Sequence, residues 1–272
     1  MMLRTPAVAG LFYPANRSAL SQTVHALYER AAGEGGIASA SPACIVPHAS
    51  YQYSGSVAAL VYHTLTIPAR CVVLGPNHTG CGALVSVMAR GRWSTPLGEV
   101  SLDETFADRL TQRCARVSVD TEAHRAEHSI EVQLPLLQYR QPSFSLVPIV
   151  LYPIGIDGYR ALGEALADLI REDDVPTLLV ASSDFTHYEG RADAERKDRL
   201  AIEAIEAVDA EELCRRVERH RISMCGYAPT SVVLVAARRL GCGRGRLLRY
   251  QTSGDTTGDY ASVVGYAGLT LS

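Results

Sequence analysis

The sequence predicts an α/β fold in a single domain, with a mixed or mostly parallel central sheet flanked by helices. Three observations carry that expectation. Short apolar runs of strand length alternate along the chain with amphipathic segments of helix length. The 272 residues are 47% hydrophobic, enough for a large buried core, and α/β sheets of this size often form one unit. No Pro/Gly/Ser-rich linker or charge run divides the chain, and the glycine-rich stretch 33–41 is short enough to be a loop.

In chain order, the amphipathic segment 17–32 reads as a first helix and the apolar run 43–47 as a first strand. A helix over 55–65 follows, then strands over 70–74 and 83–88. Segments 103–114 and 129–139 read as helices, the second with apolar positions at Val132, Leu134 and Leu136. A strand over 146–151, a helix over 158–170 and a strand over 177–181 continue the alternation. Helices over 192–207, 210–218 and 229–239 come next, the last with a proline in its first turn, where a backbone N–H is not needed. Strands over 246–251 and 263–269 close the chain, joined by the polar loop 253–260. Gly241-Cys242-Gly243-Arg244-Gly245 reads as a helix-terminating turn, because a dinucleotide loop would follow a strand and open a helix.

Composition excludes several functions. The net charge of -3 is mixed in sign, which gives no basic face for nucleic acid. Lys197 is the only lysine, a codon-usage bias rather than a function. Seven cysteines without CxxC pairs do not make a disulfide framework and fit a reducing cytoplasm. Residues 1–14 carry one basic residue and an apolar run broken by Gly10 and Pro14, so no signal peptide is read there. No apolar stretch approaches the roughly 20 residues that span a bilayer, so no membrane association is expected. GxxxxGK[ST], HExxH and GxSxG are absent.

The informative feature is that three apolar runs end in histidine-bearing turns. These are Cys44-Ile45-Val46-Pro47-His48, Val72-Val73-Leu74-Gly75-Pro76-Asn77-His78, and the run from Leu178 through Ser182-Ser183-Asp184-Phe185-Thr186-His187. Ligands of open parallel sheets sit beyond the carboxyl ends of the strands, so these histidines are placed to meet. His48 and His78 read together as one shared site. Cys225 lies just before a helix start, where the dipole favours a thiolate; it reads either as a ligand or nucleophile or as a small buried hydrophobe. Cys81 is a weaker candidate. Asp184 could orient a ligating imidazole or cap a helix, and His187 could transfer protons near neutral pH or lie in solvent. His128 and Glu131, three residues apart, share a helix face; they are either part of the site or, with Glu127, a first turn that complements the helix dipole.

At these residues the chain resembles the Memo family, component B of the AmmeMemoRadiSam set. The resemblance spans nearly all of 1–272. It rests on the segment from Arg4 to Pro14, on Pro47-His48-Ala49-Ser50-Tyr51, Gly75-Pro76-Asn77-His78, Glu127-His128-Ser129-Ile130-Glu131, Ser182-Ser183-Asp184-Phe185-Thr186-His187 and Met224-Cys225-Gly226. It implies a fold similar to class III extradiol ring-cleaving dioxygenases, which hold Fe(II) with two histidines and a carboxylate. His48 and His78 match the two histidine ligands, Cys225 stands in the carboxylate's place, and His187 matches a proton-handling histidine. Phe12 and Tyr53 match aromatic positions of the pocket. Fe(II) is the expected metal, and the soft thiolate also brings in copper or zinc. Three functions follow. They are a redox metalloprotein that cleaves catechols slowly or not at all, a module that binds a peptide or small molecule in the same pocket, and a cysteine hydrolase. Other AmmeMemoRadiSam proteins are the implied partners.

Overall fold

A computed structural model describes residues 2–33 and 41–272; residues 34–40 of the glycine-rich stretch read as a loop lie outside the described residues. The strands are β1 (Leu3–Arg4), β2 (Ala43–Val46), β3 (Arg70–Pro76), β4 (Val85–Val87), β5 (Arg92–Thr95), β6 (Gly98–Leu102), β7 (Ser118–Val119), β8 (Ser145–Leu151), β9 (Thr177–Ser182), β10 (His187–Glu189), β11 (Gly245–Thr252) and β12 (Val263–Leu271). The helices are α1 (Arg17–Gly33), α2 (Tyr51–His63), α3 (Glu104–Arg113), α4 (Glu122–Arg125), α5 (Leu134–Arg140), α6 (Gly155–Arg171), α7 (Arg191–Glu206), α8 (Ala210–His220), α9 (Tyr227–Arg239) and α10 (Gly254–Thr257).

The centre of the sheet runs β6-β8-β3-β9-β2, all parallel, and β12 adds antiparallel to β2. β2, β3, β8 and β9 are buried on both faces, which is why they read as continuous apolar runs. Their side chains alternate across the sheet. Ala43, Ile45, Val72 and Leu74 join one core with α3, α6, α7, α8 and α9. Cys44, Val46, Cys71 and Val73 join a second core with α1, α2 and α5. Because the four strands are parallel, Val46, Pro76, Leu151 and Ser182 all end at one edge, where the loops converge.

All seven expected strands are present, with shifted ends. The hairpin β5–β6 and the short strands β1, β7 and β10 were not expected. Three departures bear on the site. α2 begins at Tyr51, four residues before the expected start, because extended Ser50 (φ -61°, ψ 151°) hands the His48 turn straight into the helix. The expected helix 129–139 is instead a 3-10 turn at Glu131–Gln133 followed by α5. The loop 253–260 contains the one-turn helix α10.

Candidate metal centre

His48, His78 and His128 converge beyond the strand ends, with one ring nitrogen from each lying within 4.8 Å of the others. The rings of His78 and His128 stack with centroids 4.7 Å apart, and both meet His48 edge-on. Phe12 closes on His128 at 4.8 Å between centroids.

Hydrogen bonding fixes which nitrogen His48 and His78 each leave free of a hydrogen. The Ser182 hydroxyl donates to the Ser129 carbonyl at 2.6 Å, so it can only accept from His48 Nδ1, 3.0 Å away. His48 Nε2 therefore carries no hydrogen and can accept from the Cys225 thiol, 3.2 Å away. Gln133 locks that hydroxyl: its Nε2 donates to Pro47 O and Ser182 Oγ, both at 2.9 Å, while its Oε1 accepts from Tyr62. His78 Nδ1 donates to Glu127 Oε1 at 2.9 Å, which leaves His78 Nε2 bare as well. Two imidazoles anchored through Nδ1, with a third beside them, fit a transition-metal ion.

Electrostatics keep His48 neutral. Burial, then the neighbouring His128, His78 and His187, hold His48 well below the usual histidine range. Burial pushes Glu127 up, but His78 and then His128 outweigh it and bring its carboxyl down to about 2. Glu127 has no exposure, and its carboxylate also accepts the backbone N–H groups of His78, His128 and Ser129.

The sequence candidates fall in distinct places. Cys225 Sγ lies 3.2 Å from His48 Nε2 and 3.6 Å from the Asp184 carbonyl. The expected lowering of its thiol pKa is not found. α9 starts two residues later, and burial, followed by Asp184, pushes the thiol well above its usual value. Asp184 does not orient an imidazole; it accepts the His48 backbone N–H at 2.8 Å and so fixes the turn. Burial raises its carboxyl to about 6, partly opposed by that hydrogen bond. His187 donates Nδ1–H to the Ser223 carbonyl at 2.9 Å, which leaves Nε2 able to accept a proton.

Glu131 departs from its expected pocket role. With no exposure, it takes the Arg4 guanidinium, the N–H groups of Ala7 and Val8 (2.8 and 3.0 Å) and the Tyr13 hydroxyl (2.5 Å). The broken helix is the reason: His128 precedes the 3-10 turn that Glu131 begins, so the two do not share a helix face. Glu131 acts on the site by tying down the segment that carries Phe12. Tyr53 is half-buried in the first turn of α2, its carbonyl accepting from Gln251 at 2.6 Å. Cys81 is exposed. Sequence reasoning missed Glu127 as the partner of His78 and Gln133 as the lock on Ser182, since both partners are distant in the chain.

A large α/β sheet that gathers three histidines beyond the carboxyl ends of its parallel strands defines the class: an α/β protein with a three-histidine group that could hold one metal ion. The chain belongs to the Memo-like protein family, whose model matches residues 4–270. It is 44% identical to a MEMO1 family protein of Methanopyrus kandleri, over 98% of each chain. Identity to a MEMO1 family protein of Methanothermobacter thermautotrophicus is 41%, over 98% of this chain and 100% of that one. A MEMO1 family protein of Aquifex aeolicus is 39% identical over 99% of both. Among solved structures, an uncharacterized protein of Escherichia coli K12 shares the fold, with a TM-score of 0.57 at 16% identity, covering 84% of this chain and 99% of that one. No helix of the described residues is long and apolar enough to cross a membrane.

Proposed function

We propose that this protein binds one transition-metal ion through His48, His78 and Cys225, with His128 beside them, and acts as a non-haem, O₂-dependent oxidoreductase. Fe(II) is the favoured ion, with copper as the redox alternative; zinc, which is redox-inert, would fit only binding without oxidation. The observation that carries this reading is the convergence of one ring nitrogen each from His48, His78 and His128 within 4.8 Å; Cys225 is not part of that group but its Sγ lies 3.2 Å from His48 Nε2. A redox metal would supply Lewis acidity and electron transfer. The chain's own groups would do the rest: Ser182 and Glu127 orient the imidazoles, Asp184 fixes the His48 turn, and His187 Nε2 accepts or returns a proton.

Burial argues against the hydrolase reading. It holds the Cys225 thiol up and His48 down, so the proton stays on sulfur and no thiolate–imidazolium pair forms. A metal cation supplies the positive charge that would release that proton. The second reading, a module that binds a ligand in the same pocket without turnover, is distinct from a groove of about 860 Å³ beside Phe12, between α1 and the start of α2, whose lining includes none of His48, His78, His128 and Cys225.

Anaerobic purification with metal analysis tests the proposal. Wild type should hold iron or copper near one equivalent, and His78→Ala and Cys225→Ser should lose it. A Cys225→Ser protein that keeps full metal would remove Cys225 from the ligand set. Catechols should turn over slowly or not at all, since a thiol replaces the carboxylate. Efficient extradiol cleavage by the Fe(II)-loaded protein would overturn that.

A further inference from the structure

Four tyrosines lie in file along the segment that runs from Glu131 through α5. Tyr13 follows Phe12, whose ring meets His128, and its hydroxyl donates to Glu131 Oε1 at 2.5 Å. Its ring lies 5.7 Å from that of Tyr51 between centroids. The Tyr51 hydroxyl donates to the Val132 carbonyl at 2.7 Å, and the Tyr28 hydroxyl to the Leu136 carbonyl at 2.9 Å, about one helical turn further on. Burial, then Tyr13, Tyr28 and Glu131, hold the Tyr51 hydroxyl well above its usual value, with the Leu136 carbonyl opposing, so Tyr51 bridges its two neighbours. Tyr28 stacks on Tyr139 with centroids 5.0 Å apart at 9°. Tyr139 is 39% exposed, and its hydroxyl meets His25 Nδ1, on α1, at 2.7 Å. From Glu131 to Tyr139 the file covers about 12 Å of helical rise.

The proton acceptors differ along the file. A phenol that loses an electron turns strongly acidic and settles as a neutral radical once its proton leaves. Tyr51 and Tyr28 are buried and donate to backbone carbonyls, which do not take up a proton, so either one oxidised is a buried cation. The Arg140 guanidinium, 5.8 Å from the centre of the Tyr28 ring, raises that cost. Tyr13 faces a carboxylate, but protonating Glu131 would strand the buried charge of Arg4 beside it. Of the four, Tyr139 alone pairs at the surface with an imidazole, a base near neutral pH.

We propose that these tyrosines are a one-electron relay between the histidine cluster and the surface, with Tyr139 as its outer terminus and His25 as the proton acceptor there. This rests on the reading of the cluster as a redox metal centre, and it gives an oxidising equivalent a way out that spares the Cys225 thiol. A one-electron oxidant at the cluster is reduced by one electron, which reaches it through Tyr13, Tyr51 and Tyr28 from Tyr139. The Tyr139 phenol gives its proton to His25 Nδ1, leaving a neutral phenoxyl radical and an imidazolium. An external one-electron donor of the thiol or ascorbate class returns the electron, and His25 returns the proton.

The test supplies the oxidant without metal. A ruthenium(II) polypyridyl complex is attached to exposed Cys81, on the His78 loop of the full-length protein treated with chelator, and light with an external electron acceptor converts it to Ru(III). Tyrosyl radicals are captured by a radical trap and located by peptide mass spectrometry. Tyr152 lies beside the same loop, its hydroxyl 3.8 Å from where a Cβ on Gly80 would stand, and is off the relay, so its trapping measures the dose. Wild type should trap at Tyr139. His25→Gln should lower trapping at Tyr139 relative to Tyr152 roughly tenfold, the shift that about 59 mV makes in a one-electron equilibrium. Tyr51→Phe should lower it by a similar factor, since phenylalanine keeps the packing but resists oxidation. Tyr28→Phe repeats that measurement at the next ring, should Tyr51→Phe fail to fold. No trapping at Tyr139 in wild type, or trapping that ignores the loss of His25 or of an inner ring, would overturn the relay. Purified wild type without metal would refute the metal reading alone, because the oxidant in this test is ruthenium.

Discussion

A carboxylate sealed from solvent is tolerable only when its lone pairs are matched, and Glu127 matches them with three backbone N–H groups and the His78 ring. That arrangement sets the tautomer of His78. Glu127→Gln should therefore weaken metal binding roughly 10–100-fold in a chelator competition, the usual size of effect for a group behind a ligand. Unchanged affinity would mean that His78 does not depend on Glu127. The two histidines themselves were legible, because each closes an apolar run that had to be a buried strand. Glu127 was not, because its partner His78 lies 49 residues away and its own neighbours suggested a helix start. Arg221 carries a different lesson. It is exposed and sits in the left-handed conformation (φ 50°) at the end of α8, a position that favours glycine. Arg221→Gly should raise stability by about 0.5–1 kcal/mol in urea unfolding, and a loss would show that the side chain contributes something its exposure conceals.

Elements divide by how strongly burial constrains them. β2, β3, β8 and β9 are covered on both faces, so their sequences are nearly continuous hydrophobics and could be read at once. The β5–β6 hairpin lies towards the sheet margin, with alternating exposure and a Pro96-Leu97-Gly98 turn, and its pattern was too weak to read. The amino-terminal segment was legible only through the family resemblance, since tertiary contacts rather than periodicity fix it. Arg4 reaches the carbonyls of His124 (3.0 Å) and Glu127 (2.6 Å), lies over the Trp93 ring at 4.3 Å and pairs with buried Glu131. Removing one member of such a pair strands the other charge. Arg4→Ala should cost about 3–5 kcal/mol in urea unfolding, far more than an exposed ion pair. A change below about 1 kcal/mol, the range of surface pairs, would mean that the segment detaches without strain on the core.

The response of the whole molecule to acid should depend on a residue outside the cluster. His124 has no solvent exposure, packs edge-on to Trp93 at 5.8 Å between centroids, and makes no hydrogen bond through either ring nitrogen among the described residues. Burial denies its imidazolium water and lowers its pKa to about 4, with Asp120 opposing and Arg4 assisting. The sign follows from linkage. Above the unfolded value of about 6.5 both states are neutral at this position and its contribution is complete. As pH falls from there towards 4, the unfolded chain gains a proton that the native state refuses, and stability drains away. Over that window the loss from His124 alone is about 3 kcal/mol, a large part of a typical domain's stability. Asp184 works against it, because a carboxyl raised to about 6 takes up its proton earlier in the folded state and regains stability between pH 6 and 4. His48, held well below the usual histidine range by burial, adds a further loss over the same window, which wild type and the variants share. Urea midpoints of wild type, His124→Gln and His124→Leu, measured from pH 7 to 4, separate them. Both variants should lose less stability than wild type, relative to their own pH 7 value, as pH falls, because the His124 loss is gone while the His48 loss and the Asp184 gain remain in all three. The slope, not the absolute stability, is the readout, since either substitution also changes packing. Slopes equal to wild type would place the acid-sensitive group elsewhere and show that the His124 ring is solvated or paired in the native state.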